Sequence, residues 1–492
     1  MRSATSRVAL LLLASARVGA LSRGAIFRRS APSSVRMGFF DGPSKAVDRY
    51  AAVVDAAPSW DALRELSGGA GGGRFRQHWD EAERGLGPAN HQASLRLFDL
   101  PEGTEPRVEL FRDTAGWCPY CQKVWMLLEA KRIPYRVTKV PMSCYGDKPA
   151  SFRALSPGGG IPVARIDGRV LTESNDIMYA LERIFTEHPM LPAEGTPESA
   201  KVQTLLDLER SLFSAWFGWL RTGQDEAARF VSVMDRTNHA LQSSGGPFFL
   251  GAPLSMVDIF FIPFVERMAA SLPYYKGLRV RGNPRWQALD RWFVALETQT
   301  EWYAGIKSDA YTHVTALPPQ IGGCVQSGAD ARRMAGQIDG TDGTSWMLPL
   351  PPAGLDALEP ISPAVSDADA RLEAAERLMR NGLKVARFAA RAVGTPGQRF
   401  GAPLADPRAT PDENAVPVVD AALRHVVHAL VAGPDAAAAP RSSLPAMEVA
   451  KSLAYLRDRV SVPRDMSFAA ARQLRAHLNA YSAELTGGKL LY

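Results

Sequence analysis

Residues 107–129 constrain this chain more than any other stretch. They run Arg107-Val-Glu-Leu-Phe-Arg-Asp, then Thr114-Ala-Gly-Trp-Cys118-Pro-Tyr-Cys121, then Gln122 to Glu129. Val108, Leu110 and Arg112 alternate with Glu109, Phe111 and Asp113, a period near two that predicts a short strand. Val124, Leu127 and Leu128 recur at helical spacing. Two cysteines therefore sit where a strand hands over to a helix, and Pro119 suits the first helical turn.

Free N–H groups and the helix dipole at such a position stabilise an anion, and so favour a thiolate at Cys118. Cys121, one turn on, points back towards it and can form or resolve a disulfide. Lys123 adds a positive charge close by. The motif by itself leaves several readings: a redox or glutathione-handling centre, half a zinc site, or two buried thiols. Zinc needs further ligands, and no second Cys-x-x-Cys or His pair follows at finger spacing. His425 and His428, one turn apart, have no carboxylate or cysteine at ligand spacing, so no metal is expected.

A chain of 492 residues has room for two to four domains. Its formal charge of +6 resides in its first residues, because positions 1–36 hold seven arginines and no acid. Without them the balance is close to neutral and gives no case for nucleic-acid binding. Four cysteines, two in one motif, do not make a disulfide scaffold. No apolar run beyond the leader is long enough to span a bilayer. Residues 1–37 read as an address: Arg2 and Arg7 precede the apolar run Val8 to Ala14, and Val18-Gly-Ala20 fits a small-residue cleavage site. A basic, acid-free stretch to Met37 then follows, as in transit peptides. The bipartite pattern predicts a plastid destination, with the mitochondrion or secretory pathway as alternatives.

Residues 38–105 form a lead-in, with short helices expected over Ser44–Ala56 and Trp60–Leu66 and a flexible break at Gly68-Gly-Ala-Gly-Gly-Gly73. Between 106 and 186 the elements alternate. Tyr135–Val140 reads as a second strand and Lys148–Leu155 as a helix. Pro162–Ile166 and Arg169–Thr172 read as a hairpin turning at Asp167-Gly168, and Ser174–Phe185 as a closing helix. That is the thioredoxin-like order.

Trp117-Cys-Pro-Tyr-Cys121, Ile161-Pro162 and Glu173-Ser174 resemble the glutathione-binding half of cysteine-type glutathione transferases, whose Cys-Pro-Tyr-Cys centre is shared with glutaredoxins. The resemblance implies catalysis by Cys118 and Cys121, with glutathione as co-substrate against Trp117, Pro119, Tyr120, Lys148, Ile161, Pro162, Glu173 and Ser174. It implies a cis bond before Pro162 that exposes the Ile161 backbone to glutathione. Glu173 and Ser174 would take the γ-glutamyl end, and Lys148 the glycyl carboxylate.

Thr186 to Glu198 reads as a linker. Residues 199–310 are all-helical, with Val202, Leu205, Leu208, Leu212, Trp216 and Trp219 on one apolar face. Trp216, Phe217 and Trp219 are expected in the core before a second-substrate pocket. Ser255 and Asp258 form a capping box. Residues 322–492 read as a helical extension of unknown role, loop-rich to Pro363, with a break at Ala436–Pro440. The fold class expected is therefore α/β plus all-α: a thioredoxin-like domain, a transferase-type helical domain and an additional C-terminal helical domain. This layout resembles the iota class of photosynthetic organisms, most strongly over residues 92–320.

The function that follows is glutathione-dependent thiol transfer: deglutathionylation, dehydroascorbate reduction or disulfide reduction. Its partners would be glutathione and a small glutathionylated or thiol-reactive substrate, with neither nucleic acid nor a membrane span, and a homodimer is allowed. The alternatives are a non-catalytic protein that binds glutathione or an apolar ligand and docks a partner through its tail, or a glutathione-independent disulfide reductase.

Overall fold

The computed structural model describes residues 50–52, 54–222, 226–397, 401–433 and 445–491. The leader, the start of the helix expected over Ser44–Ala56 and the break at Ala436–Pro440 lie outside them. The lead-in folds as α1 (Trp60–Gly69) and α2 (Gly73–Glu83). The thioredoxin-like part follows: β1 (Leu95–Arg96), β2 (Val108–Asp113), α3 (Pro119–Ala130), β3 (Tyr135–Val140), α4 (Ala150–Leu155), β4 (Val163–Ile166), β5 (Arg169–Leu171) and α5 (Ser174–Ile184). The sheet order is β1-β3-β2-β4-β5. β2 and β3 are parallel, and the other neighbours are antiparallel.

Local chemistry accounts for these bounds. Asp167 and Gly168 both have positive φ, +49° and +83°, as a two-residue hairpin turn of right-handed strands requires. The fourth helix starts after Lys148, because a residue before proline is biased towards extended backbone. The glycine run is a tight turn between α1 and α2, where sequence composition suggested a flexible break. A Cβ at Gly72 would collide with Ser67 Oγ and stand 2.8 Å from Glu376 Oε1. Packing against the extension therefore fixes this turn.

The helical half comprises α6 (Pro197–Arg221), α7 (Ala227–Gln242), α8 (Met256–Lys276), α9 (Gln287–Gln299), α10 (Tyr303–Ile306) and α11 (Ala310–Ile321). α8 is buried nearly all round and is its axis. Ser255 and Asp258 close the capping box at its start. Asp258 Oδ1 also accepts the Phe249 N–H at 3.0 Å and Trp292 Nε1 at 2.9 Å. The extension adds α12 (Ala331–Asp339), α13 (Asp367–Asn381), α14 (Leu383–Ala389), α15 (Val416–Ala432), α16 (Ala446–Arg457) and α17 (Phe468–Thr486). α12 lies within a stretch that reads as loop in the sequence. The structure is thus a thioredoxin-like sheet and helix part, a transferase-like helical part and additional C-terminal helices. One apolar core joins the sheet to the helical half, and a second lies among α13 to α17 with Leu63 of α1. No helix among the described residues is long and apolar enough to cross a membrane.

Candidate functional site

Strand register brings the functional stretches to one end of the sheet. β4 runs antiparallel to β2 with Phe111 opposite Val163, so the start of β4 lies beside the end of β2. β5 returns to that end, with Leu171 opposite Ala164. β3 finishes there too, Val140 pairing with Asp113. The 114–118 loop, the 141–149 loop, Ile161–Pro162 and the start of α5 therefore share one edge.

Cys118 is the N-cap of α3, with φ −77° and ψ 117°, and Pro119 is the first helical residue. The Cys118 Sγ accepts the Cys121 N–H at 3.4 Å. The sulfur thereby satisfies one of the N–H groups left without a partner at the start of the helix. Both thiols are buried, Cys118 at 4% exposure and Cys121 at 1%. Burial pushes the Cys121 thiol well up, and its hydrogen bond to Cys118 adds to this. Its surroundings therefore favour the thiol form of Cys121.

Trp117 is clamped through its backbone. Its N–H donates to Asp113 Oδ2 at 2.6 Å, and its carbonyl accepts Arg267 Nη2 at 2.7 Å. Arg267 also donates to Gln122 Oε1 at 2.8 Å, and Gln122 Nε2 donates to Glu266 Oε2 at 2.7 Å. These side chains of α8 thus lock the 114–118 loop onto the helical half. The buried Arg267 and Glu266 went unrecognised in the sequence, although two charges inside the apolar run Ile259–Met268 were a usable signal.

Lys123 is buried and donates to Asn175 Oδ1 at the start of α5. Burial lowers its ammonium to about 8, opposed by the nearby Glu209. Burial raises Glu209 itself to about 7, with Lys123 pulling the other way. Neither partnership was legible, since Glu209 lies on α6. Tyr120 faces the same region, its ring edge-on to Phe264 at 5.8 Å, and burial pushes its hydroxyl up. Phe213 packs on Phe264 at 4.9 Å and stacks on Phe217 at 5.6 Å. Trp216 and Trp219 are in the core, each 2% exposed.

Ile161–Pro162 is cis. Glu173, exposed and making no capping bond, precedes Ser174, the first residue of α5. Lys148 is 8% exposed and donates to the Pro141 carbonyl at 2.7 Å. Burial lowers its ammonium, and Cys121 and Cys118 oppose that shift. Strand register thus brings the segments that carry Cys118, Lys148, Ile161, Pro162, Glu173 and Ser174 to one end of the sheet. Trp117, expected against glutathione, is instead 1% exposed with its ring packed edge-on to Tyr145 at 5.5 Å. Among the described residues no group of three or more His, Cys, Asp or Glu side chains is placed for a metal ion. His425 instead stacks on Tyr481 at 6.2 Å.

Comparison with known proteins bears on this arrangement. Residues 117–184 match the family model for the glutathione S-transferase N-terminal domain, and residues 208–294 that for the C-terminal domain. The chain is 30% identical over 173 residues to glutathione S-transferase DHAR2 of Arabidopsis thaliana, covering 34% of this chain and 75% of that protein. It is 30% identical over 167 residues to glutathione S-transferase DHAR3, chloroplastic, of the same plant, covering 34% of this chain and 60% of that one. A dehydroascorbate reductase structure from Chlamydomonas reinhardtii aligns at TM-score 0.34 and 22% identity, over 44% of this chain and 94% of its own.

Proposed function

Because the chain belongs to the glutathione S-transferase family, we propose that it is a cysteine-type member that carries out glutathione-dependent thiol transfer. The carrying observation is the Cys118 Sγ at the head of α3, accepting the Cys121 N–H at 3.4 Å. The Cys118 thiolate attacks the glutathione sulfur of a mixed disulfide, and the substrate leaves as a thiol after taking up a proton. A second glutathione then attacks the Cys118–glutathione disulfide, giving glutathione disulfide and restoring the thiolate. Each step exchanges one disulfide for another, so electrons balance.

Glutathione fits the edge described above. Its ammonium suits the free Glu173 carboxylate, its γ-glutamyl carboxylate suits Ser174 and the helix start, and its cysteinyl backbone suits Ile161 before Pro162. Lys148 supplies a cation for the glycyl end. The aromatic face of Tyr120, Phe213, Phe217 and Phe264 suits a flat second substrate. Glutathione mixed disulfides are the substrates of this cycle. A glutathionylated hydroquinone would enter it by attack on its sulfur, the C–S bond breaking and the ring carbon taking up a proton. Dehydroascorbate would take two electrons and two protons from two glutathiones, giving ascorbate and glutathione disulfide. The Trp-Cys-Pro-Tyr-Cys centre and the helical extension together support placement in the iota class. The transit-like leader and the chloroplastic relative support a plastid location.

The test is turnover of a glutathione mixed disulfide. Cys118→Ser should lower kcat at least about a hundredfold, as loss of a nucleophile does. Cys121→Ser should keep turnover within about tenfold of wild type, because the second glutathione resolves the intermediate. A Cys118→Ser protein that works at the wild-type rate would sink the mechanism.

A further inference from the structure

The C-terminal extension reaches the catalytic loop from behind. The loop between α16 and α17 is anchored at three points. Ser308 Oγ donates to the Val462 carbonyl, the Val462 N–H donates to Thr312 Oγ1 at 3.2 Å, and the Gln92 amide donates to the Arg464 carbonyl. From there Pro463 closes on Gly116. That glycine has φ +78°, and a Cβ on it would meet the His91 ring at 3.1 Å and Pro463 Cγ at 3.5 Å. The next residue along the extension, Arg464, holds its guanidinium 5.5 Å from the centroid of the Trp117 ring. Asp465 fixes it there, Nη2 to Oδ2 at 2.8 Å.

A second piece of the extension meets the same loop. Leu404 packs with Tyr145 against the cluster of Ala115, Trp117 and Ala316. The Tyr145 ring stands edge-on to Trp117 at 5.5 Å, and its hydroxyl donates to the Ala316 carbonyl at 2.5 Å. Arg459 Nε donates to the Leu404 carbonyl at 3.0 Å, tying the two pieces of the extension together. Trp117 is left 1% exposed. It directly precedes Cys118, so what fixes its ring and backbone sets where the Cys118 backbone lies, and with it the reach of the Sγ to the Cys121 N–H.

We propose that the extension is a working part of the catalytic site, in which Arg464 is a positioning residue acting on Cys118 through Trp117. The guanidinium is attracted to the indole, while the anchored loop sets its place. The proposal rests on the thiol-transfer reading. A misplacement of about an ångström at a reacting atom is worth up to about a hundredfold in rate.

The experiment compares wild type, Arg464→Ala, Arg464→Lys and Leu404→Ala, all as full chains, in turnover of a glutathione mixed disulfide. Alkylation of Cys118 by iodoacetamide is read in parallel by peptide mass. Arg464→Ala should lose about tenfold or more in kcat, with KM for glutathione within about twofold, and its Cys118 should alkylate faster. Arg464→Lys keeps the cation and should recover most of the kcat. Leu404→Ala loosens the same loop from its other side and should repeat the kcat loss, which serves if Arg464→Ala fails to fold. Unchanged kcat and alkylation in the folded Arg464→Ala and Leu404→Ala proteins would overturn the proposal. If wild type itself transfers no thiol, the functional reading falls, while an altered alkylation rate would still support positioning and an unaltered one would overturn it.

Discussion

Cys121 and His477 show what burial does to single residues in this protein. The surroundings of Cys121 favour its thiol form, which suits a donor to Cys118 better than an independent attacking thiol. The sequence revealed both cysteines and the cap because those relations are local, spanning one helical turn. It did not reveal the Lys123–Glu209 neighbourhood, which exists only once α3 meets α6. His477 is buried, its Nδ1 2.7 Å from the Gln473 carbonyl, and burial holds it down at about 4. An unfolded histidine protonates near 6.5. Between those values the unfolded chain binds the extra proton, so stability falls as pH drops from 6.5 towards 4. The slope from this one group is at most about 1.4 kcal/mol per pH unit. His91 and His313 are lowered by burial in the same sense. His477→Gln should therefore reduce, without abolishing, the fall in melting temperature between pH 7 and pH 5. Equal falls in both proteins would contradict the assignment.

At the scale of elements, the parts read correctly were those whose start and stop are written in adjacent residues. The Asp167-Gly168 turn and the Ser255–Asp258 box are of this kind. Ser255→Ala should cost about 1 kcal/mol, seen as a lower melting temperature with the mixed-disulfide kcat unchanged. α12 was missed although Ala331, Met334, Ala335 and Ile338 recur at helical spacing. Nine residues are too few to hold a helix by propensity, and its packing against α8 is not written locally. The glycine run misled for the opposite reason. Its composition signals flexibility, yet Ser67 Oγ bonds Glu376 Oε1 at 2.7 Å beside Gly72 and closes the turn onto α13.

For the whole molecule, the placement of the extension was the least legible feature. The sequence marks helices there, but nothing in it says that they lie behind the loop that carries Cys118. The attachment is polar and buried. Arg475 donates to Asp309 Oδ2 at 2.6 Å with both side chains at most 1% exposed, and to the Val460 carbonyl at 2.8 Å. Arg475→Met would leave Asp309 without this partner and should destabilise the protein by about 3–5 kcal/mol, read in thermal or urea unfolding. A change under about 1 kcal/mol would mean that the pair does not hold the extension in place.

These scales meet at one sulfur. The most direct measurement is the intact and peptide mass of the full chain after brief exposure to a glutathione mixed disulfide, without free glutathione. A single glutathione adduct on Cys118, removed by added glutathione and absent from Cys118→Ser, is the expected result. An adduct confined to Cys144 or Cys324, with Cys118 unmodified while turnover proceeds, would contradict it.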